Sequence, residues 1–328
     1  MRCKFLYSVF LLLCLSTATV VKAQNDAQIG HSTLWPNLNN PGALENYNAP
    51  LAGADLRIQW LGVEGQPFTQ TLFAQMPVPN SKLFGGLVIA NELAGAHQVL
   101  HTDLQLAYPI KLKKQQIQVG ASVGFIQYAL LGAKLRAADG VYNDNALLHN
   151  DPDLATSSLT QVVPNFNIGF KTKWNAFSFN MGVEHLFAGK IKLAVSTGNA
   201  LIQYNPLLHL GVNYNWPLQM NNWQFKSSAW FKSNFTKSMV DWQSFATYQD
   251  KWRFGVLIRG FAPRNIDAAG AIFGYVLNDR TQFNYSFEWP LNKLSQIVFG
   301  TQELSLVYKL QEPPPPSRGK IIFSPRFL

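Results

Sequence analysis

A short motif near the middle of the chain matches the pattern around the nucleophile of serine hydrolases. Gly120-Ala121-Ser122-Val123-Gly124 has the G-x-S-x-G spacing, which in those enzymes places the serine on a sharp turn between a strand and a helix. Here the alternation of apolar and polar residues continues through Phe125 and Tyr128, with no helix behind it. A barrel lipase using Ser122 would also need a nearby histidine, and His209 is distant in strand order. We therefore interpret the motif as part of a strand and predict that the protein is not an enzyme.

The histidines and cysteines do not form a metal-binding pattern. His97 and His101 have a spacing that suits a metal on a helix, but in a strand they would lie about 13 Å apart. The other histidines are scattered along the chain: His31, His149, His185 and His209. The sequence shows no dense carboxylate cluster, and Cys3 and Cys14 both precede residue 24. We expect no metal, no cofactor and no disulfide in the mature protein.

The N-terminus has the features of a signal peptide. Arg2 and Lys4 precede an apolar run that ends at Leu15, and a small residue, Ala23, precedes Gln24. The run is shorter than the ~20 apolar residues that a membrane-spanning helix needs. We predict that residues 1–23 are removed on export, by cleavage near Ala23 and Gln24.

The composition favours a barrel in the outer membrane. Charged residues make up 14% of the chain and aromatic residues 13%, yet no apolar run after residue 23 is long enough for a transmembrane helix. The formal net charge of the chain is +9, but the basic residues are mostly isolated, whereas nucleic-acid binding usually shows clustered basic stripes. We therefore expect outer-membrane lipids, and not nucleic acid, around this protein.

Period-two alternation recurs along most of the chain and predicts strands with one apolar and one polar face. Phe166 and Ile168, for example, alternate with Asn165 and Asn167. Tryptophans lie near the segment ends, where the interfacial girdle of a barrel would need them: Trp174, Trp216, Trp252 and Trp289. Gly120, Ser122 and Gly124 are predicted to face the lumen. The fold class is thus all-β, a transmembrane antiparallel barrel of about fourteen strands.

The chain divides into four regions by this pattern. After the signal peptide, residues 24–53 form a short polar segment, which we interpret as a periplasmic lead-in or a plug. Residues 54–310 form the barrel, and residues 136–157 and 190–200 are assigned to extracellular loops. Residues 311–328 form a tail with a proline-rich spacer, which is either disordered or a docking strand for a periplasmic partner.

Four basic residues are predicted to point into the barrel: Lys226, Lys232, Arg253 and Arg259. They could line a cationic lumen, and an outer-membrane channel or porin with anion preference is the alternative function. Solvated charges are also ordinary inside barrels, so the pattern does not decide between a channel with anion preference and an ordinary polar interior.

Several blocks of residues resemble the PorP/SprF family of Bacteroidetes outer-membrane proteins. The first is Asn40-Pro41, followed by Arg57-Ile58-Gln59-Trp60-Leu61-Gly62 and by the segment from Gly65 to Leu72, which includes Pro67. Further matches are Pro164 to Phe170, Gly182 to Leu186, Trp252 to Arg259, Gly274-Tyr275 and Gly300 to Leu304. Thr301-Gln302 departs from the family's Ser-His, an extra Gly42 interrupts its N-P-A block, and Glu288 stands where the family has Asp. The sequence is therefore similar to a divergent member.

The resemblance implies a non-enzymatic role in type IX secretion and gliding motility, in the outer membrane. The implied partners are a secreted adhesin or another substrate with a type IX C-terminal targeting domain, and the periplasmic secretion ring or peptidoglycan-linked components. Candidate signature or partner-contact residues are Arg57, Gln59, Trp60, Pro67, Arg259, Glu303, Phe323, Pro325, Arg326 and Phe327. For Arg57 and Gln59, which share a face of the first strand, a purely structural role at the barrel seam carries at least equal weight.

Overall fold

The computed structural model describes residues 29–44, 49–112, 115–143, 146–151, 154–187, 190–195, 198–220, 222–260 and 266–310. The predicted signal peptide lies outside the described residues. So does the tail, which contains the candidates Phe323, Pro325, Arg326 and Phe327. Among the described residues, no helix is long and apolar enough to cross a membrane.

The strands of the described residues are, in chain order, β1 (Leu51–Ile58), β2 (Phe68–Pro77), β3 (Phe84–Ala94), β4 (His97–Leu112), β5 (Gln115–Leu131), β6 (Val141–Asn143), β7 (Ala146–Leu148), β8 (Ser158–Trp174), β9 (Phe177–Glu184), β10 (Lys190–Val195), β11 (Gly198–Gln203), β12 (Leu207–Met220), β13 (Trp223–Ser233), β14 (Ser238–Tyr248), β15 (Trp252–Arg259), β16 (Ala268–Val276), β17 (Thr281–Pro290) and β18 (Thr301–Lys309). Fourteen of them form a closed antiparallel barrel, in which β1 pairs with both β2 and β18. The remaining four form two small hairpins, β6–β7 and β10–β11. The predicted fold class is confirmed, including the number of barrel strands.

The two faces of the barrel differ in polarity as the alternation predicts. On β1, Asp55 and Arg57 are buried inside the barrel, whereas Leu56 between them is 41% exposed on the outer face. On β17, the inward residues include Asn284 and Glu288, both buried. An apolar outer face and a polar inner face are what a barrel in a lipid bilayer requires.

The two long connections lie at the same end of the barrel. One runs from β5 to β8 and contains β6–β7, and the other runs from β9 to β12 and contains β10–β11. Because adjacent antiparallel strands alternate direction, both connections fall at the end where β1 finishes, which we call the loop end. Outer-membrane barrels place long loops outside the cell and short turns in the periplasm. We therefore infer that the opposite end, which we call the turn end, faces the periplasm.

Residues 29–44 lie inside the barrel, and we call this segment the plug. It contains three short 3-10 turns, Gly30–Thr33, Pro36–Leu38 and Pro41–Ala43, all of them buried. The Gln105 side chain on β4 donates to the carbonyl of Asn37 at 2.9 Å, and Gln243 on β14 donates to the carbonyl of Gly30 at 2.6 Å. Strands β4 and β14 are on opposite walls, so only a segment within the lumen can reach both.

Close packing as well as hydrogen bonds holds the plug. At Gly42 the plug backbone touches β8: a Cβ at this position would lie 2.5 Å from the carbonyl carbon of Gly169. Trp35 packs against Phe73 on β2, with the ring centroids 5.3 Å apart. Gly120 on β5, predicted from the sequence to line a lumen, and Gly169 on β8 therefore leave room for the plug backbone.

The β10–β11 hairpin, which we call the lid, packs into the loop end of the barrel. Its Ile191 and Leu193 are buried against Val99 on β4 and Ile126 on β5, which point inward. Their burial stabilises the lid by removing apolar surface from water. The lid thus fills the loop end, whereas the plug extends toward the turn end, where Gln118 on β5 donates to the Leu44 carbonyl at 2.6 Å.

Candidate functional site

Strand pairing assembles a cluster of charged residues on the inner wall, near the loop end. Arg57 on β1 lies directly opposite Glu303 on β18, across the seam that closes the barrel. Glu288 on β17 is one strand further along. With the plug residue His31, the cluster consists of His31, Asp55, Arg57, Lys232, Asp241, Arg259, Glu288 and Glu303, and we call it the lock.

Arg57 bridges two carboxylates within the lock. Its Nη1 donates to Glu288 Oε1 at 2.7 Å and to Glu303 Oε2 at 2.5 Å, and its Nη2 donates to Glu288 Oε2 at 3.0 Å. All three side chains are at most 3% exposed. The guanidinium is suited to this position because its planar fork presents several donors at once.

The plug is attached to the lock through both its backbone and its one histidine. The N–H groups of Gly30 and His31 donate to Glu303 Oε1 at 3.0 and 2.8 Å. His31 Nδ1 lies 2.9 Å from Asp55 Oδ2. These contacts bind the start of the plug to the first and the last strand of the barrel.

The lock continues along the wall through a second set of ion pairs. Arg259 Nη2 donates to Glu288 Oε1 at 3.1 Å, and its Nη1 lies 3.7 Å from Asp241 Oδ2. Lys232 Nζ lies 3.1 Å from the same Asp241 oxygen. Lys232 and Arg259 point inward as predicted, and carboxylates offset their charge.

The formal charges of the lock cancel when His31 is protonated and all four carboxyl groups are ionised. Asp55, Asp241, Glu288 and Glu303 supply four negative charges, and Arg57, Lys232 and Arg259 supply three positive ones. Burial lowers the pKa of His31, but the Glu303 and Asp55 carboxylates raise it by more, so the pKa is higher than the ordinary 6.5. The charged form of His31 thus balances the lock.

The lock is better suited to holding the plug than to holding a metal ion. Ligand atoms of His31, Asp55 and Glu303 lie within 4.8 Å of one another. However, Glu303 already accepts two backbone N–H groups and one arginine, and a cation would lie beside Arg57. The expectation from the sequence that the protein has no dense carboxylate cluster was wrong. These carboxylates are distant in the sequence, and strand pairing brings them together.

Of the six candidate residues that the structure describes, three meet in the lock and three do not. Arg57, Arg259 and Glu303 form its centre. Gln59, Trp60 and Pro67 lie instead in the β1–β2 connection at the loop end. There the Gln59 N–H donates to the Pro67 carbonyl at 2.8 Å, and the Trp60 N–H donates to Thr301 Oγ1 at 3.3 Å. Trp60 is 38% exposed there and has a φ of 59°.

Ser122 lies in the continuous strand β5, as the sequence predicts, and accepts a hydrogen bond from Asn167 Nδ2 at 2.8 Å. His101, whose spacing from His97 was considered for a metal, lies beside His185, with ring centroids 5.5 Å apart. His209 Nε2 is paired with Glu184 Oε2 at 2.7 Å. The contacts of Ser122 are therefore those of a polar lumen residue.

Comparisons with known proteins give the family. The sequence matches the family described as type IX secretion system membrane protein PorP/SprF over residues 21–308. The chain belongs to the PorP/SprF family. The plug, the lid and the lock are thus features of a PorP/SprF barrel in the outer membrane. No curated protein matches the chain.

Two solved structures show the same barrel fold as this PorP/SprF protein. The toluene transporter TbuX of Ralstonia pickettii is 10% identical, with a TM-score of 0.53, over 84% of this chain and 92% of its own. The monoaromatic hydrocarbon channel CymD is 11% identical, also with a TM-score of 0.53, over 89% of this chain and 96% of its own. At such identities the likeness concerns the fold alone.

Proposed function

We propose that this protein is a non-enzymatic component of the type IX secretion system that docks or anchors a partner at the outer membrane. Membership of the PorP/SprF family supports a place in that system. The observation that carries the docking role is the occupied interior, since the lock holds the plug across the lumen. A barrel filled by its own chain is suited to present surfaces to a partner.

The proposed partners are of two kinds. One is a secreted surface protein, such as an adhesin, that carries a type IX C-terminal targeting domain. The other is the periplasmic secretion ring or a peptidoglycan-linked component. The turn end, the N-terminal segment and the tail of residues 311–328 are the parts proposed to meet them, and a role in gliding motility would follow from anchoring an adhesin.

A crosslinking pull-down from native outer membranes tests this proposal. The full tagged chain is compared with a chain that ends after Leu310. We expect secretion-ring proteins or a large secreted protein with the full chain, and their loss on truncation would assign the contact to the tail. Recovery of the barrel alone, after crosslinking at several reagent lengths, would contradict the docking role.

A second candidate function is an outer-membrane channel with a partly cationic lumen. The observation in its favour is an open cavity of about 400 Å³, whose wall includes Lys226 and Arg253. Two proteins of the same fold are described as a toluene transporter and a hydrocarbon channel. Planar-bilayer recordings distinguish this candidate, because it requires a conductance that depends on Lys226 and Arg253.

A further inference from the structure

Strand β9 is much shorter than β8, the strand with which it pairs. β8 has 17 residues and β9 has eight, and their pairing covers only Ile168–Trp174 of β8. The chain leaves the line of β9 at His185, which has a φ of 58° and whose N–H donates to Asn167 Oδ1 at 2.9 Å. The Leu186 N–H then donates to the Phe166 carbonyl at 3.0 Å. Beyond this point β8 continues toward the loop end without β9.

One backbone edge of β8, from residue 158 to residue 165, therefore has no partner strand among the described residues. The opposite edge pairs with β5 from residue 158 to residue 173. The lid lies close by, since Leu159 and Val163 of β8 pack against its buried residues. However, the lid forms a two-stranded sheet of its own and does not pair with β8. We call this unpaired backbone edge the β8 edge.

The alternation of the strand determines which backbone groups lie on the β8 edge. The Phe166 carbonyl faces β9, and every second residue of a strand directs its N–H and C=O groups to the same side. Thr160 and Val162 therefore each offer one donor and one acceptor, whereas Pro164 offers only its carbonyl. All three residues are exposed. The β8 edge is thus a row of hydrogen-bonding groups that an added strand can reach.

The β8 edge has little protection against pairing with another strand. Exposed edges are usually protected by charged side chains, prolines or bulges. Residues 158–165 include no charged residue, and their register with β5 is continuous, so Pro164 is the one such device in this stretch. Thr160 and Val162 are β-branched, which favours strand pairing. The sequence of this edge therefore suits addition of a strand.

The level of the β8 edge in the membrane makes it accessible from outside the cell. Trp174 ends β8 at the turn end, and the apolar band of such barrels is about 25 Å tall. A tilted strand rises about 2.5 Å per residue, so the band extends over about ten residues of β8, as far as Pro164. An unpaired edge inside the lipid would be unfavourable, which agrees with this position. The edge thus begins where the outer leaflet ends.

The outer face beside the β8 edge is apolar. Phe166 and Phe187 are in edge-to-face contact, with ring centroids 5.6 Å apart, and Phe187 is 72% exposed. Val162, 50% exposed, and Pro164 continue this face toward the loop end. Side chains on neighbouring strands pair on the same face of a sheet. A complementary strand therefore carries apolar or aromatic residues at every second position.

We propose that the β8 edge binds an extended peptide segment of another protein at the cell surface, as an added strand in the line of β9. Its backbone bonds with Thr160, Val162 and Pro164, and its apolar side chains contact Phe166 and Phe187. Several peptide-binding domains add a strand to an exposed sheet edge in this way. The inference goes beyond the docking role, which was proposed for the turn end and the terminal segments, and neither depends on the other.

Binding of a fluorescent peptide to the full-length barrel in lipid nanodiscs tests the proposal. The probe is acetyl-Lys-Val-Thr-Phe-Thr-Val-Thr-Lys-amide, in which the apolar residues alternate with threonine. The control probe is the same peptide with N-methyl groups on Val, Phe and Val, whose N–H groups would face β8. We expect the control to bind at least about tenfold more weakly, because each lost hydrogen bond costs ~0.5–1.5 kcal/mol.

Two variants change the number of donors on the β8 edge, and one serves as the control. Val162→Pro removes an N–H but leaves the pairing with β5, so binding should weaken about three- to tenfold. Pro164→Val adds an N–H and should strengthen binding by a similar factor. Val162→Thr keeps the N–H and should change binding by less than about twofold. Each variant is first shown to keep its barrel by its resistance to unfolding in detergent.

Hydrogen exchange shows whether another part of this chain already covers the β8 edge. The Val162 amide should exchange quickly in the free barrel and more slowly with the peptide bound. Slow exchange in the free barrel would mean that the lid or another segment of the chain occupies the edge, which would overturn the proposal. Equal binding of the two probes, no binding of either, or binding that Val162→Pro does not change would also overturn it.

Discussion

The carboxylate of Glu303, in the last strand of the barrel, holds the backbone of His31, which lies 272 residues earlier in the chain. The His31 N–H donates to Glu303 Oε1 at 2.8 Å. Glu303 also receives Arg57 from the first strand, so one side chain contacts the plug and the seam that closes the barrel. Seating of the plug and closure of the barrel are therefore linked.

Removing the charge of Glu303 should release the plug. Glu303→Gln keeps the shape of the side chain but leaves Arg57 and His31 without one buried partner, which costs ~3–5 kcal/mol when a buried pair is broken. A cysteine introduced at the buried Ser32 reports the effect, since its reaction with a maleimide requires that the plug leave the lumen. We expect faster labelling in Glu303→Gln.

The matched control is Glu64→Gln, because Glu64 is exposed in the β1–β2 connection. It should leave the labelling rate at Ser32→Cys unchanged. Equal labelling rates in Glu303→Gln and the parent protein would mean that the lock does not retain the plug.

The stability of the plugged state should fall as the pH rises above neutral. Because the folded pKa of His31 is raised, its contribution is fully present below the unfolded value of about 6.5 and is lost as the pH rises through the folded pKa. Thermal unfolding between pH 6 and pH 9 measures this. His31→Gln should lower the melting temperature at pH 6 and flatten its dependence on pH, whereas an unchanged slope would contradict the assignment.

A methyl group at Gly42 should dislodge the plug. In Gly42→Ala the new Cβ would lie 2.5 Å from the Gly169 carbonyl carbon, so the plug or β8 must move. Overpacking of this kind costs ~1–3 kcal/mol. In Gly85→Ala the new Cβ would be 3.7 Å from Val78, an ordinary contact, and this variant is the control. The midpoint of urea unfolding should be lower for Gly42→Ala than for Gly85→Ala. Equal midpoints would contradict the close contact at Gly42.

Truncating the apolar side of the lid should open the loop end. Ile191 is fully buried against the inner wall, so Ile191→Ala should destabilise the lid by ~2–5 kcal/mol. Hydrogen exchange of residues 190–203 should increase. Leu148→Ala, in the β6–β7 hairpin and 54% exposed, should not change exchange in the lid. Unchanged exchange in Ile191→Ala would mean that the lid is not held by this cluster.

The barrel could be predicted from the sequence because its signal is local. A residue at every second position faces lipid, so Phe166 and Ile168 reveal the outer face without knowledge of their neighbours. The inward placement of Gly120 and Ser122 follows from the same alternation. The inward Trp230, fully buried, is an exception, and its Nε1 donates to the plug residue Thr33 at 3.0 Å.

The lock could not be predicted in the same way, because its members are distant in the sequence. Arg57 and Glu303 lie in blocks that resemble the family, but their pairing depends on which strands meet at the seam. Nothing near His31 marks it as a partner of Asp55, since the plug has no periodic pattern. Polar residues of a short N-terminal segment suit a lead-in outside the barrel as well as a plug inside it.

The central claim is that the N-terminal segment closes the barrel, and single-barrel conductance in planar bilayers tests it most directly. The wild-type chain is compared with a variant that lacks residues 29–44, after both are shown to be folded barrels. The structure predicts little or no conductance for the wild type and large, stable current steps for the deletion variant. Wild-type steps as large as those of the deletion variant would contradict the claim.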